Sequence, residues 1–369
     1  MRLTLRRRTR YRLWLFGVLW LITVFAGPLY ALLFHEGQLG VWQTLDEGAV
    51  GGLLVWGFLI FVLPTRLGKP IRRLAFLPRM AVIVPIILLS IPITGVITDG
   101  LDDGIVQMDG FPTEISLYLY VLVIVALCAL VIEVMHIIGP RVLGNLLIGR
   151  YQSPLEEERV FLFVDLAGST EMAQKLGDVA FQGLLSRFFF DIGETVLEAG
   201  GEIHAYIGDE VIVTWPRQPT DARPVVCFFA IQDLLARQRR SYRNAFGVEP
   251  VVRGALHGGP TVMAACGDAK RAIVYFGDTL NTTARLEGEA KRLDRSLVAT
   301  ADFAMLLELP NGIEIEQLGP VSLRGRDGET DLVAFVRPKS SKRRSDKEKA
   351  PPPDQDEDAS ETEQPQAAA

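Results

Sequence analysis

The stretch GGEIHAYIGDEVIVTW, residues 200–215, predicts a hairpin of two mainly apolar strands, Glu202–Tyr206 and Val211–Trp215. The tight turn between these strands carries Asp209 and Glu210 at its tip. Two adjacent carboxylates at this position indicate a role in binding or catalysis. A neighbouring strand suggests what they bind.

That neighbouring strand also ends in an acid. The segment Arg159–Leu166, RVFLFVDL, predicts a buried strand in which Asp165 precedes a turn and a helix start, LAGST. If the strand lies beside the hairpin, Asp165 and Asp209 emerge at the same edge of the sheet. Free backbone N–H groups at that edge can receive a phosphate, and paired carboxylates suit hard cations such as Mg²⁺. The two acids therefore predict a two-metal site for phosphate chemistry. A role for Asp165 as a helix cap would leave Asp209 unexplained.

The remaining elements of this region predict an α+β domain. Apolar runs alternate with amphipathic stretches, which favours helices on one face of a mostly antiparallel sheet. His257 is interpreted as a structural residue at the end of a strand. The predicted helices are Phe181–Ala199, Asp221–Phe246 and Thr279–Arg292, and the further strands are Val251–His257 and Ile273–Phe276.

The first third of the chain has a different character. The chain has 369 residues, 49% of them hydrophobic, and a mean hydropathy of +0.24. Four apolar stretches before residue 140 predict membrane spans, each of which needs about 20 residues. No small-residue cleavage site follows the first stretch, so an uncleaved anchor is expected rather than a signal peptide. The predicted spans are Leu13–Phe34, Ala49–Pro64, Met80–Thr98 and Ile115–Gly139.

The charges between the spans predict their orientation. The N-terminal segment MRLTLRRRTRYR and the segment TRLGKPIRRLAFLPR are basic, whereas HEGQLGVWQTLDEG and DGLDDGIVQMDGFPTE are acidic and lack Lys and Arg. Positive segments stay on the cytoplasmic side. We therefore expect a multi-pass protein with its N- and C-termini in the cytoplasm.

Several features limit the possible functions. Three scattered cysteines without a CxxC pair indicate neither a zinc site nor a disulfide framework. Glu133 and His136, in the fourth span, could hold a cofactor, but snorkelling or pairing near the cytoplasmic end is the favoured interpretation. Residues 140–158 are predicted to be a linker, and the basic then acidic segment 337–369 is predicted to be a disordered tail.

Three motifs carry a specific family resemblance. FVDLAGST, GGEIHAYIGDEVIVTW and FGDTLNTTARLE occur in the order and spacing of class III nucleotide cyclases, chiefly bacterial adenylyl cyclases. The resemblance covers residues 159–336 and implies a ferredoxin-like catalytic domain after the four-helix transmembrane domain, 1–139. It implies that Asp165 and Asp209 bind metal, and that Asn281 and Arg285 position the ribose and stabilise the transition-state phosphate. Arg324 or Arg326 would hold the terminal phosphates.

The resemblance also implies an activity. It describes an adenylyl cyclase in a bacterial inner membrane, which converts ATP to cyclic AMP and pyrophosphate with two Mg²⁺ or Mn²⁺ ions per active site. In the family each site draws residues from two subunits, so a homodimer is expected. Membrane lipid is the other expected partner, and no nucleic-acid partner is predicted.

One part of the motif departs from the family. The resemblance places base-reading side chains at positions 205 and 274, which here are Ala205 and Val274. Neither side chain can form a hydrogen bond. His204 and Tyr206 are not expected to replace them, because successive strand residues point to opposite faces.

Two alternatives remain open at this point. Ala205 favours a catalytically impaired nucleotide-binding module that regulates through the membrane domain. A diguanylate cyclase also places a GDE-bearing turn on a hairpin, but the full GGDEF turn is missing and NTTAR fits class III better. The spans carry few polar groups, which argues against a transporter or channel.

Overall fold

A computed structural model describes residues 7–34, 41–63, 65, 67–72, 74, 76–102, 115–138, 143–145, 148–150, 153–267, 272–325 and 328–338. In this part of the chain, four helices are long and apolar enough to cross a membrane, which confirms the four predicted apolar segments. The second candidate span, Thr44–Val62, begins earlier than predicted and finishes in the π-helix Phe58–Val62. The helices of this region are α1 (Arg7–Phe34), α2 (Val41–Gly57), α3 (Lys69–Arg72), α4 (Phe76–Asp102) and α5 (Ile115–Ile138).

Glycines allow α1 and α2 to pack closely. A Cβ atom on Gly27 would lie 2.1 Å from the carbonyl oxygen of Thr44, and one on Gly48 would lie 2.5 Å from that of Thr23. Small residues at such contacts let helix backbones approach each other in a bilayer. Packing against α1 therefore explains why the second span is rich in glycine.

The rest of the helical surface is largely apolar. Phe25, Leu32 and Leu127 are exposed, as expected of side chains that face hydrocarbon. Glu133 is exposed on α5, and the side chain of His136 lies outside the described residues.

Residues 155–336 form a mixed sheet with helices. Within the described residues, eight strands form one sheet in the order β2-β3-β1-β4-β6-β8-β7, and β5 pairs with β4. All pairs are antiparallel except β4 with β6. The elements are β1 (Leu155–Leu166), α6 (Ser169–Leu176), α7 (Asp178–Glu198), β2 (Glu202–Ile207), β3 (Glu210–Pro216), α8 (Arg223–Phe246), β4 (Val252–Cys266), β5 (Ala272–Phe276), α9 (Asp278–Arg292), β6 (Leu297–Thr300), α10 (Ala301–Ala304), β7 (Glu314–Val321) and β8 (Thr330–Val336).

Strand β1 is longer than its apolar core. It begins at Leu155 rather than at the predicted Arg159, and it pairs with β4 along its whole length. The first residues, LEEE, alternate between half-buried and exposed and so lack the continuous apolar run on which the prediction depended. The last four residues of the predicted linker are therefore strand, while part of that linker lies outside the described residues.

Helices cover both faces of the sheet, which corrects the expectation of a single helical face. Val160, Leu162 and Val164 of β1 pack in one core with apolar residues of α7 and α8. Helix α9 packs on the opposite face, where its Leu286 joins a core with Ala255 of β4.

Two residues define local structure that the sequence did not predict. His257 lies within β4, which continues to Cys266, so its predicted position at a strand end is wrong. Its Nδ1 is 3.0 Å from Thr300 Oγ1, which supports the structural interpretation. Just beyond β8, Arg337 forms an ion pair of 2.8 Å with Asp233 of α8. Residues 339–369, most of the predicted disordered tail, lie outside the described residues.

Gly201 provides a test of the packing between α7 and the hairpin. A Cβ atom there would lie 2.7 Å from Trp215 Cζ2 and 2.8 Å from Val213 Cγ1. We expect Gly201→Ala to destabilise the domain by about 1–3 kcal/mol through overpacking, which is a decrease in Tm of roughly 2–4 °C per kcal/mol. Thermal unfolding of the detergent-solubilised full chain measures this shift.

Gly193→Ala is the matched control. Its Cβ atom would lie 4.0 Å from Ile203 Cδ1, an ordinary contact. Because Gly193 lies inside α7, alanine should stabilise the helix by about 0.5–1 kcal/mol. Equal effects of the two substitutions would contradict the packing described here.

Candidate active site

The two predicted metal-binding aspartates lie at one edge of the sheet. Val164 of β1 pairs with Val211 of β3, so Asp165 follows the last residue of β1 that pairs with β3, beside the turn that carries Asp209. The Asp209 carboxyl group is near enough to contribute to the raised pKa of Asp165. The turn itself depends on Gly208, whose φ of +63° favours glycine. The expected juxtaposition of the acids is observed, and their role as metal ligands stays a prediction.

A lysine that the sequence analysis did not select contacts one of these acids. Lys291 of α9 places its Nζ 3.0 Å from Asp165 Oδ2 and 2.7 Å from Glu287 Oε1. Their mutual pair could have been found from the sequence, because Glu287 and Lys291 have the i,i+4 spacing of helix ion pairs. The contact with Asp165 was not accessible to sequence reasoning, because it depends on where α9 crosses the sheet.

The carboxyl groups at this edge are poorly solvated. Asp165 is only 4% exposed. Burial, together with the Asp209 carboxylate, raises the pKa of Asp165 to about 6 against the opposing effect of Lys291. Burial and the charges of Glu287 and Asp165 raise the pKa of Glu210 to about 7. Three carboxyl groups, those of Asp165, Glu210 and Glu287, thus share Lys291 as a counter-charge, and such a cluster favours the binding of a further cation.

Three polar atoms of the hairpin turn and of α9 are buried without a hydrogen-bond partner among the described residues. They are Asp209 Oδ2, Glu210 Oε1 and Arg285 Nη1. Buried polar atoms in folded proteins are rarely left in this state, and a ligand is one explanation. The carboxylate oxygens suit a cation, and the guanidinium suits a phosphate.

The acids fit a metal that the substrate helps to bind. In the described part of the chain, no group of three or more Asp, Glu, His or Cys side chains is arranged to hold a metal ion. Mg²⁺ is commonly bound through one or two carboxylates plus substrate phosphates. Asp165 and Asp209 are suited to be those two carboxylates.

Helix α9 carries the predicted Asn-x-x-x-Arg pair. Its first turn is fixed to β4, because the Thr279 hydroxyl donates a hydrogen bond of 2.6 Å to the Pro260 carbonyl. Asn281 is exposed, one turn before the half-buried Arg285. Their spacing of four residues puts both side chains on one helix face.

The loop between β7 and β8 reaches this arginine. A Cβ atom on Gly325 would lie 3.6 Å from Arg285 Nη2, so the backbone next to Arg324 approaches the guanidinium. Arg324 is exposed, whereas the alternative residue Arg326 lies outside the described residues. The structure thus brings the backbone at Arg324 near Arg285.

The strand that carries Ala205, one of the two positions expected to read the base, is less regular than the sequence predicts. Ala205 of β2 lies opposite Ile212 of β3, and Val274 of β5 lies opposite Ala264 of β4. The β2 register shifts between Ile203 and Ala205, which leaves His204 as an extra residue in a β-bulge. Strict alternation of faces, used above to dismiss His204, therefore fails at this point.

Comparison with known proteins identifies the same region. The sequence model of the family described as "Adenylate and Guanylate cyclase catalytic domain" matches residues 152–336. Adenylate cyclase 2 of Rhizobium meliloti (strain 1021) is 37% identical over 232 residues, 62% of this chain and 64% of that protein. Adenylate cyclase 1 of the same organism is 26% identical over 186 residues, 49% of this chain and 28% of that protein.

A solved structure supports the fold. The structure of a bacterial light-regulated adenylyl cyclase matches with a TM-score of 0.52 and 17% identity, covering 62% of this chain and 67% of that one. The chain spans 64% and 28% of the two curated relatives, so the match concerns their shared part. The family match covers half of the chain and contains both aspartates, the hairpin and α9. This chain belongs to the adenylate and guanylate cyclase catalytic-domain family, the class III nucleotide cyclases.

Proposed function

We propose that this protein is a membrane-anchored adenylyl cyclase that converts ATP to cyclic AMP and pyrophosphate. The observation that carries the proposal is the buried Asp165 beside Asp209, a carboxylate oxygen of which is buried and left without a partner in the described structure. The full chain in detergent, supplied with ATP or GTP and with Mg²⁺ or Mn²⁺, tests it. Cyclic AMP is the expected product, and absence of any cyclic nucleotide would refute it.

The chain's own residues divide the chemistry. Two divalent cations held by Asp165 and Asp209 would activate the ribose 3′-hydroxyl and neutralise the triphosphate. Arg285 offers unpaired N–H groups to the phosphate on which negative charge develops, a contact that is often worth orders of magnitude in rate. Asn281 orients the ribose, and Arg324 holds the terminal phosphates.

The geometry of α9 supports a site shared between two copies. Lys291 contacts Asp165, and it follows Arg285 by six residues. Six residues of α-helix advance about 9 Å and turn the side chain about 120° away. Arg285 therefore projects away from the aspartates of its own subunit, and a twofold homodimer would supply them from the partner.

The topology proposed from charge completes the assignment. The basic segments support a cytoplasmic position for both termini, where ATP is available. The apolar helices lie in lipid, in the inner membrane of a bacterium. The other candidate, an impaired nucleotide-binding module, is favoured by Ala205 and Val274, whose side chains cannot form hydrogen bonds with a base.

The first prediction concerns the metal ligands. Asp165→Ala or Asp209→Ala should abolish cyclase activity, since each removes a carboxylate at the edge of the sheet rather than a core contact. Product formation and Tm are measured together. Asp302→Ala, an exposed acid on α10, is the control and should retain activity. Unchanged turnover in either aspartate variant would disprove the metal assignment.

The second prediction is a pH dependence of stability without metal. Folding raises the pKa of Asp165 from 3.8 to about 6, so the folded protein binds the proton more tightly than the unfolded chain. Stability should therefore fall as pH rises between about 4 and 6, by on the order of 2–3 kcal/mol for this group. Glu210, with a pKa of about 7, should extend the fall towards neutral pH.

Cation addition completes that experiment. Mg²⁺ or Mn²⁺ should raise the Tm more at pH 7.5 than at pH 5.5, because protons compete for the same carboxylates. Asp165→Asn should flatten the dependence of Tm on pH. A cation effect that is equal at both pH values, or unaltered in this variant, would contradict the prediction.

The third prediction tests the shared site. Asp165→Ala and Asn281→Ala proteins should each be inactive, yet a mixture that exchanges subunits should recover about a quarter of the original activity, because half of the dimers would contain one whole site of two. Activity is measured before and after exchange. Full activity of a monomer at high dilution would rule the arrangement out.

A further inference from the structure

The bulge in β2 brings a polar side chain to the position where the expected one is absent. Ile203 pairs with Val213, and Ala205 pairs with Ile212. One residue separates Ile203 from Ala205 in β2, whereas Val213 and Ile212 are consecutive in β3. His204 is the additional residue. A bulge of this kind places two consecutive side chains against one residue of the partner strand.

The contacts show which face each residue occupies. Ile203 packs against the core that contains Val213, on the side of α7 and α8. Ile212, opposite Ala205, belongs to the core on the other face together with Tyr275. The ring of His204 lies 4.8 Å from the ring of Tyr275. His204 and Ala205 therefore share this other face.

Tyr206 returns to the first face. Its ring lies 4.5 Å from that of Phe189 on α7, so the bulge affects His204 alone. Alternation of strand faces predicts that both His204 and Tyr206 lie on the face opposite to Ala205. That placement is wrong for His204 and correct for Tyr206. Tyr275 precedes the end of β5 and follows Val274, but successive strand residues point to opposite faces, so the contact places His204 beside the Tyr275 ring and not beside the Val274 side chain.

The imidazole has hydrogen-bonding capacity to offer a ligand. No described residue forms a hydrogen bond with it, although its ring is partly buried against Tyr275. Burial and the positive charge of Arg159 lower the pKa of His204, so the ring is neutral near pH 7. A neutral imidazole has one N–H donor and one acceptor nitrogen. The edge of adenine likewise offers an acceptor nitrogen beside an amino donor.

We propose that His204 is a specificity-determining residue that contacts the purine base of the substrate, in place of the side chain missing at Ala205. This inference rests on the proposed cyclase function. Its structural basis is the bulge that turns His204 onto the face of Ala205, next to Tyr275. A single neutral contact discriminates less strongly than a charged one, so the protein should prefer ATP only moderately.

The test compares variants of the full chain in detergent. His204→Phe keeps a ring against Tyr275 but removes both nitrogens, and His204→Gln keeps a donor and an acceptor. We expect His204→Phe to raise KM for ATP about 3- to 10-fold with a smaller change in kcat. The ratio of kcat/KM for ATP to that for GTP should move towards one, and His204→Gln should retain most of the original preference.

Two controls separate base recognition from packing. Inhibition by inorganic tripolyphosphate, which carries no base, should be the same in all variants. His257→Phe alters another histidine, which contacts Thr300 and Phe303, and should leave the preference for ATP unchanged. The Tm of each variant reports any structural damage.

The outcomes distinguish the two levels of the argument. If the unmodified chain forms cyclic product from neither nucleotide, the proposed function fails. If it is active and His204→Phe keeps the original KM and nucleotide ratio, the inference about His204 alone is overturned. A loss of activity that is equal for ATP and GTP and accompanied by a lower Tm would also overturn it, since that pattern indicates packing.

Discussion

Strand β1 fixes the positions of the two aspartates and of α9, because both edges of that strand are hydrogen-bonded. Strand β3 on one side brings the turn with Asp209 beside Asp165, and β4 on the other side carries β5 and anchors α9. From Val160 onward, every residue of the strand is buried. A buried central strand cannot slip in register without moving its apolar side chains to the wrong face. The separation of the acids is therefore fixed by the core.

The same core also offsets the cost of the site. The carboxyl groups of Asp165 and Glu210 lower the folding stability near neutral pH, because burial disfavours their charged forms. Lys291 compensates only part of this charge. The apolar packing of β1 with α7 and α8 supplies the stability that allows the cluster to persist without metal. The arrangement that would bind the proposed cation thus has a cost in folding stability.

Sequence reasoning succeeded where the chemistry is local and failed where it depends on pairing. The acids at strand ends and the Asn281–Arg285 spacing could be recognised, because a turn or a helix repeat fixes them within a few residues. Lys291 could not be placed on Asp165, since no local pattern states how α9 crosses the sheet. The bulge at His204 was also invisible, because EIHAYI alternates plausibly as a regular strand. The early start of β1 could not be predicted for a related reason. Its first residues are strand because they pair with β4, and not because they form an apolar run.

The extent of β1 has a mechanical consequence. The strand starts at Leu155, 17 positions after the last residue of α5, and its other end carries Asp165. Ten residues of strand span about 33 Å, so the membrane tether and the reacting centre occupy opposite ends of one stiff element. If the last span moved relative to the last span of a second copy, the movement would act on β1 at Leu155, the end opposite Asp165. In the proposed homodimer, a small rotation there would change how the two halves of the shared site face each other without any deformation of the core.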